Sequence, residues 1–337
     1  MASYKKFVLL RIPQVVLTLV GLSILIFTLV RFIPSDPART AIGPGASEEV
    51  YQEYREELRL DEPLHMQYIG FVQDIFNGSL GESTRTGNDV AVDIIEKLPA
   101  TLELIALGFT VAVLLGIPFG IVAGLNKDRL PDHFSRFVAL SGIAFPRFWL
   151  AITFQVVLVS WLGLFPLTGR ISGAAPAHVT GFYTIDSLIA GNFDKFTDAV
   201  WHLILPATAL GFSTFSQVTR LVRSEMIEIS RADYIMTGRS QGIPEWMIAY
   251  KYMLKNAFSS TLTVLGFRIG GMLSGATFVE LIFNIDGIGR YTLASIVRLD
   301  YNAIVGVVLV LGVTYLISSA IVDMLYGYLD PRIRLEA

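Results

Sequence analysis

Long apolar stretches alternate with polar segments along the chain, and six of them, 7–33, 98–125, 134–165, 201–222, 257–283 and 303–329, dominate the pattern. In helical form each reaches the roughly 20 residues needed to cross a bilayer core. The third contains Pro146, so a kink or an interfacial start is expected at Phe145-Pro146-Arg147. The pattern therefore predicts an all-α polytopic membrane protein with six transmembrane helices. Lys5, Lys6 and Arg11 accompany the start of the first run, as in a signal peptide. The run is longer than an ordinary h-region and no small-x-small cleavage site follows it, so an uncleaved signal anchor is expected.

The polar segments carry the orientation. Basic residues cluster at the N-terminus, in the second loop (Lys127, Arg129, Arg136), in the fourth (Arg220, Arg223, Arg231, Arg239, Lys251, Lys255) and in the tail (Arg332, Arg334). The third loop holds only Arg170 and Lys195, and the fifth Arg290 and Arg298. By the positive-inside rule both termini and the even loops are cytoplasmic. The organisation expected is a cytoplasmic end with span one (1–33), an external loop subdomain (34–97), a core of five spans (98–329) with a cytoplasmic loop at 220–256, and a cytoplasmic tail (330–337). The external segment is acidic, and 47–60 reads as a helix capped by Ser47 with Glu48 and Glu49 in its first turn. That helix is either a solvated face of the subdomain or a surface for docking a partner.

Composition narrows the class. Charged residues make up 16% of the chain and hydrophobic ones 53%, well below the roughly one-quarter charged share of soluble domains. A net charge of −3 gives no electrostatic footprint for nucleic acid. The chain has no cysteine, which excludes disulfides, thiolate metal sites and cysteine nucleophiles. His65, His133, His178 and His202 are scattered and show no metal-ligand spacing. No Ser/His/Asp grouping and no phosphate-binding G-x-x-x-x-G-K-[ST] loop occurs, so no catalysis, cofactor or metal is assigned to the chain itself.

The segment 220–256 is amphipathic. Leu221, Met226, Ile229, Tyr234 and Ile235 recur at helical spacing among Arg223, Glu225, Glu228, Arg231 and Asp233. Gly242 breaks the pattern, and Pro244 fits the first turn of a second short helix over 244–255 that presents Trp246, Met247, Tyr250, Met253 and Leu254. Helix, glycine turn and short helix suit either docking into a groove of a soluble partner or lying on the lipid headgroups.

Asp233-Tyr234-Ile235-Met236-Thr237-Gly238-Arg239-Ser240-Gln241-Gly242, followed by Leu254-Lys255-Asn256-Ala257, resembles the cytoplasmic "EAA" loop of ABC importer permeases. It is most similar to the dipeptide/oligopeptide permease family, and the similarity extends along nearly the whole chain. Arg31-Phe32-Ile33-Pro34-Ser35-Asp36-Pro37-Ala38, Leu60-Asp61-Glu62-Pro63 with Gln67-Tyr68, Gly78-Ser79-Leu80-Gly81, Leu98-Pro99-Ala100-Thr101-Leu102-Glu103-Leu104, Gly287-Ile288-Gly289-Arg290 and Leu329-Asp330-Pro331-Arg332-Ile333-Arg334 match in order. Aligned on Gly242, the Glu-Ala-Ala of the general motif falls on Met236-Thr237-Gly238, so its acidic residue is missing, with Asp233 nearby. The resemblance implies a type I importer permease fold in the inner membrane. It also implies a second homologous permease in a heterodimer, two cytosolic subunits that bind ATP and Mg, an external solute-binding protein, and docking through Asp233, Tyr234, Gly238, Gly242, Pro244, Trp246, Tyr250 and Leu254. Di- or oligopeptides are the cargo it suggests.

Charges inside the spans are functional candidates by default. Arg268 lies roughly 16 Å into span five by helical rise, where the family has a neutral residue. It is either a pore-lining cation for a substrate carboxylate or half of a structural ion pair. Glu103 and Glu280 sit nearer the outer ends of spans two and five and suit packing or gating. Gly266, Gly270, Gly271 and Gly275 form two small-xxx-small pairs, for packing within the chain or against a second permease. An ion-driven transporter would require an internal repeat and carboxylates paired at mid-membrane. An intramembrane hydrolase would require a catalytic grouping, and neither pattern is present.

Overall fold

The computed structural model describes residues 2–32, 38–39, 47–57 and 59–329, with side chains except at 2–12, 30, 32, 57, 258–260, 262–264, 267 and 322–329. The tail 330–337 and most of the motif that follows span one lie outside the described residues. Among the described residues the fold is helical, and its one β feature is a bridge between Glu82 and Asp89. The helices are α1 Ala2–Phe32, α2 Glu48–Glu57, α3 Leu64–Phe76, α4 Val90–Leu125, α5 Leu130–Ala144, α6 Arg147–Phe154, α7 Tyr183–Ile189, α8 Phe193–Ile229, α9 Asp233–Ser240, α10 Glu245–Met247, α11 Leu254–Phe283, α12 Ile288–Val297 and α13 Tyr301–Leu329.

Among the described residues three helices, Val90–Leu125, Phe193–Ile229 and Tyr301–Ile321, are long and apolar enough to cross a membrane. A fourth crossing arises if the bent pair Leu130–Ala144 and Arg147–Trp161 counts as one span. Its two halves meet at 112°, far sharper than a proline kink in a continuous helix. Phe145 and Pro146 are both extended at the break, with ψ 135° and 144°. The half after the break ends in π-helical turns, Gln155–Trp161, so Phe165, expected inside this span, lies beyond its helix. α1 contains a shorter apolar stretch, Pro13–Leu29, and some side chains of α11 are undescribed.

α8 is the centre of the bundle: α4, α5, α6, α7 and α11 all pack on it, while α1 packs on α13. Its closest neighbour is α4, through a stripe of small residues at four-residue intervals, Gly108, Ala112, Gly116, Gly120 and Gly124. A Cβ at Gly108 would stand 2.8 Å from the carbonyl of Ala207, one at Gly120 2.6 Å from Val222, and one at Gly124 2.6 Å from Met226. These helices therefore pack backbone to backbone, as small residues permit in lipid. The inner face of α8 (Leu203, Leu210, Phe215, Val218, Val222, Met226) is buried along its whole length.

Contacts between loops sort them into two faces. On one, Ser83 Oγ donates to Asp300 at 2.6 Å, Lys97 pairs with Asp286 at 3.2 Å, and the Gly169 amide reaches the Phe283 carbonyl at 2.8 Å. That face joins loops one, three and five. On the other, Asp132 at the start of α5 is held by Arg223 of α8, Nε at 2.5 Å and Nη2 at 2.8 Å, which joins loop two to the root of loop four.

Two expectations for the segment 34–97 meet the structure directly. The Ser47 hydroxyl accepts from the Val50 amide at 3.4 Å at the start of α2. α4 begins eight residues before the expected start of span two, at Val90, because the Asp89 carboxylate caps it through the Ala91 amide at 2.7 Å.

Candidate functional site

The loop at 220–256 is built differently from the run of amphipathic helix expected. Arg220 to Ile229 are the last turns of α8 itself. The chain then turns at 230–232 and restarts as α9, whose first residue is Asp233. α9 ends in a double hydrogen-bonded reversal: the Gly242 amide reaches the Arg239 carbonyl at 3.0 Å, and the Ile243 amide the Gly238 carbonyl at 3.1 Å. Gly242 has φ +75°, the left-handed conformation this reversal needs and glycine adopts without a Cβ penalty. The Ile243 side chain then packs over Gly238.

Pro244 is the N-cap of the next helix rather than a residue of its first turn, with ψ 138°. That helix does not end near Lys255. It passes through π-helical turns, Ile248–Met253, into α11 without a break, so the segment carrying Trp246 is the N-terminal end of the helix expected as span five. Ile235, Ile248, Ala249 and Met253 are buried against Val222 and Met226 of α8 and Ile121 of α4, with Leu254 packed at the edge of this cluster. Arg239 and Glu245 bridge the turn at 2.8 Å. On the outside, Tyr234, Met236, Trp246 and Tyr250 are exposed, Trp246 at 65%. The residues singled out from sequence thus separate into an exposed set (Tyr234, Trp246, Tyr250) and a set that shapes the turn (Asp233, Gly238, Gly242, Pro244, Leu254).

Glu103 is 2% exposed and tied to loop three: Arg170 pairs with it, and the Thr184 amide and hydroxyl donate to it at 2.7 and 2.6 Å. Arg170 also donates to the Gly181 carbonyl at 2.9 Å and lies 3.7 Å from the centre of the Tyr183 ring. Beside this cluster, Asp186 accepts from the amides of Val179, Thr180 and Gly181 and from the Thr180 hydroxyl. Burial pushes the Asp186 carboxyl up, but these four donors outweigh it and hold the group below the ordinary carboxylate value.

Glu280, in the last turn of α11, is fully buried with its carboxylate against the start of α12, accepting from Thr101 Oγ1 at 2.5 Å and from the Arg290 amide at 2.9 Å. Thr101 Oγ1 in turn accepts from the Ile288 amide at 2.8 Å. This arrangement accounts for Gly287-Ile288-Gly289-Arg290: a Cβ at Gly287 would stand 2.5 Å from the Glu280 carboxyl carbon, and one at Gly289 2.5 Å from the Thr277 Cα. Both carboxylates are enclosed by groups of this chain.

Of the span-five glycines, Gly270 faces Tyr315 of α13, where a Cβ would meet the ring at 2.5 Å. Gly271 and Gly275 face Arg147, which donates to the Gly271 carbonyl. Gly266 is half-buried. Among the described residues no carboxylate pairs with Arg268, and its buried Nε has no hydrogen-bond partner. The sequence reading missed three features: Arg147, the α4 glycine stripe and the Asp132–Arg223 clamp. The stripe was visible as four-residue spacing, whereas Arg147 and the clamp depend on helices distant in sequence.

Residues 116–335 match the family model described as binding-protein-dependent transport system inner membrane component, and residues 4–105 match its N-terminal companion. The chain is 40% identical over 320 residues to the probable D,D-dipeptide transport system permease protein DdpB of Escherichia coli (strain K12), covering 94% of each chain. It is 37% identical over 325 residues to the dipeptide transport system permease protein DppB of Alkalihalophilus pseudofirmus, covering 96% of this chain and 98% of that one. Identity to the di/tripeptide transport system permease protein DppB of Pseudomonas aeruginosa is 34% over 330 residues, covering 97% and 98%.

Proposed function

This chain belongs to the binding-protein-dependent transport system inner membrane component family and is a permease subunit of an ABC importer, and from that membership we propose that its cargo is a di- or oligopeptide. It forms half of the translocation path beside a second, homologous permease. Two cytosolic subunits bind ATP and Mg, and an external solute-binding protein delivers the peptide. The six apolar stretches each cross the membrane, the third as the broken pair α5–α6. Both termini lie in the cytoplasm, with loops one, three and five outside.

Coupling runs through the turn between α9 and α10. The observation that carries this reading is the exposed set Tyr234, Met236, Trp246 and Tyr250, presented by a turn whose other side is packed on α8 and α4. Exposed aromatics on a rigid helical turn suit insertion into a groove of a soluble partner. Because α10 is continuous with α11, a displacement of the turn is delivered directly to span five as rigid-body movement. Glu103 and Glu280 act as fastenings of the external face rather than as substrate ligands.

The test is reconstitution of the chain with its partners. Purification through this chain is expected to bring down a second permease and two ATP-binding subunits, and vesicles containing the assembly should take up dipeptide only with ATP and binding protein present. Gly242→Pro and Trp246→Ala should cut uptake at least tenfold while ATP hydrolysis continues and membrane insertion is unchanged. ATP-independent uptake by this chain alone would overturn the reading. Normal coupling in both variants would reduce the turn to a support lying on the headgroups.

A further inference from the structure

The bend between α5 and α6 exposes the start of a half-helix within the bundle. α5 runs 15 residues before the break, about 22 Å of rise, and Gly271 lies about 21 Å along span five from Ala257. The hydrogen bond from Arg147 to the Gly271 carbonyl sets the break beside that point of α11. α6 begins at Arg147 with no side-chain cap, and its first intrahelical acceptor, the Pro146 carbonyl, takes the Leu150 amide at 3.1 Å. The amides of Arg147, Phe148 and Trp149 precede that bond, so the positive end of the helix is directed into the break.

Two guanidinium groups meet there. Arg147 reaches across to the Gly271 carbonyl and lies along Gly275, where a Cβ would stand 2.8 Å from its Cδ. Arg268, Gly271 and Gly275 are spaced three and four residues apart, so they share one face of α11. The charges of Arg147 and Arg268 repel each other across this face. Arg268 Nε is buried without a hydrogen-bond partner, and among the described residues no Asp or Glu forms an ion pair with either arginine. Two neighbouring cations in a low-dielectric bundle are costly without a counter-ion. Discontinuous helices whose N-termini aim at an anionic substrate group are a recurrent solution in transporters.

We propose that Arg147, Arg268 and the start of α6 form a membrane-embedded anion site that takes the terminal carboxylate of the peptide during passage. This rests on the peptide reading above. The planar forks of two arginines match a carboxylate, and the glycines at 271 and 275 leave room above α11 for the Arg147 side chain that presents one of them. Phe145 and Trp149, stacked at 4.4 Å and both about two-fifths exposed, flank the break and offer an apolar wall to peptide side chains. Repulsion between the two guanidinium groups is relieved by a carboxylate placed between them, which favours capture.

The test compares alanylalanine with its C-terminal amide in vesicles carrying the complete importer, each at a concentration that saturates the binding protein. In the wild type the amide is expected to enter at least tenfold more slowly. In Arg147→Gln and Arg268→Gln the free dipeptide should slow to the rate of the amide, with binding-protein-stimulated ATP hydrolysis retained. Equal wild-type rates for dipeptide and amide would overturn the proposal, and this comparison stands even if a variant fails to assemble. Unchanged dipeptide uptake in both variants would also overturn it. So would equal loss of both substrates together with stimulated hydrolysis, because that pattern marks a structural ion pair with the neighbouring permease. Absence of wild-type dipeptide uptake would instead contradict the peptide reading itself.

Discussion

Single residues in this chain are constrained mainly by how closely backbone approaches backbone or a buried carboxylate. Gly289 stands against the backbone of Thr277, so Gly289→Val has no flexible side chain to displace. The expected loss is about 1–3 kcal/mol, the cost of overpacking, read as a lower unfolding temperature in detergent. Gly242 is constrained differently, by φ +75° in an open turn where a Cβ would meet nothing. Gly242→Ala should therefore cost only about 1 kcal/mol and leave coupling largely intact, whereas Gly242→Pro, barred from positive φ, should abolish it. Uptake per ATP hydrolysed separates the two. The sequence made Gly242 legible because a turn glycine interrupts a helical pattern. Gly289 was legible only as part of a motif, since the reason for it, Thr277 and Glu280, lies on another helix.

Elements were legible wherever apolar periodicity ran uninterrupted and failed where function or loop packing broke it. α4, α8 and α13 follow their expected spans but overrun them, because Asp89 caps α4 early and α8 continues through Ile229 into the segment expected as a loop. Hydropathy sees only the apolar stretch and not the amphipathic turns beyond it. Pro146 signalled a kink, yet the 112° bend depends on α6 leaving to pack against α8 and α11, which no local signal encodes. The same non-locality hid the bidentate clamp from Arg223 to the fully buried Asp132. Removing one member leaves the other desolvated, so Asp132→Ala should destabilise the α5–α8 contact by about 3 kcal/mol. Differential hydrogen exchange should show that loss at 126–144, with 179–190 and 284–300 unchanged.

At the scale of the whole molecule, two fastened faces are joined by helices that pass between them. Loops one, three and five are locked by Ser83–Asp300, Lys97–Asp286 and Arg170–Glu103, while the opposite face carries one exposed aromatic turn. The Asp186 carboxyl within loop three is held below its ordinary value, so its contribution is complete above the unfolded pKa of about 4. It is lost as pH falls through the lower folded value. Protection of 179–190 against proteolysis in oriented vesicles should therefore be constant from neutral pH down to about pH 4 and decline below it. Asp186→Asn should reduce that protection at neutral pH.

The absence of cysteine from the chain permits a direct test of the coupling claim, because a single introduced thiol reports one position. Gln241→Cys, at an exposed position of the turn beside Gly242, should in the assembled importer be joined to an ATP-binding subunit by a short thiol-to-amine crosslinker, with a yield that changes when ATP binds. Trp161→Cys, at the end of the π-helical turns that follow α6, should not crosslink to that subunit. A Gln241→Cys chain that crosslinks to no ATP-binding subunit, in an importer that still couples hydrolysis to uptake, would contradict the account.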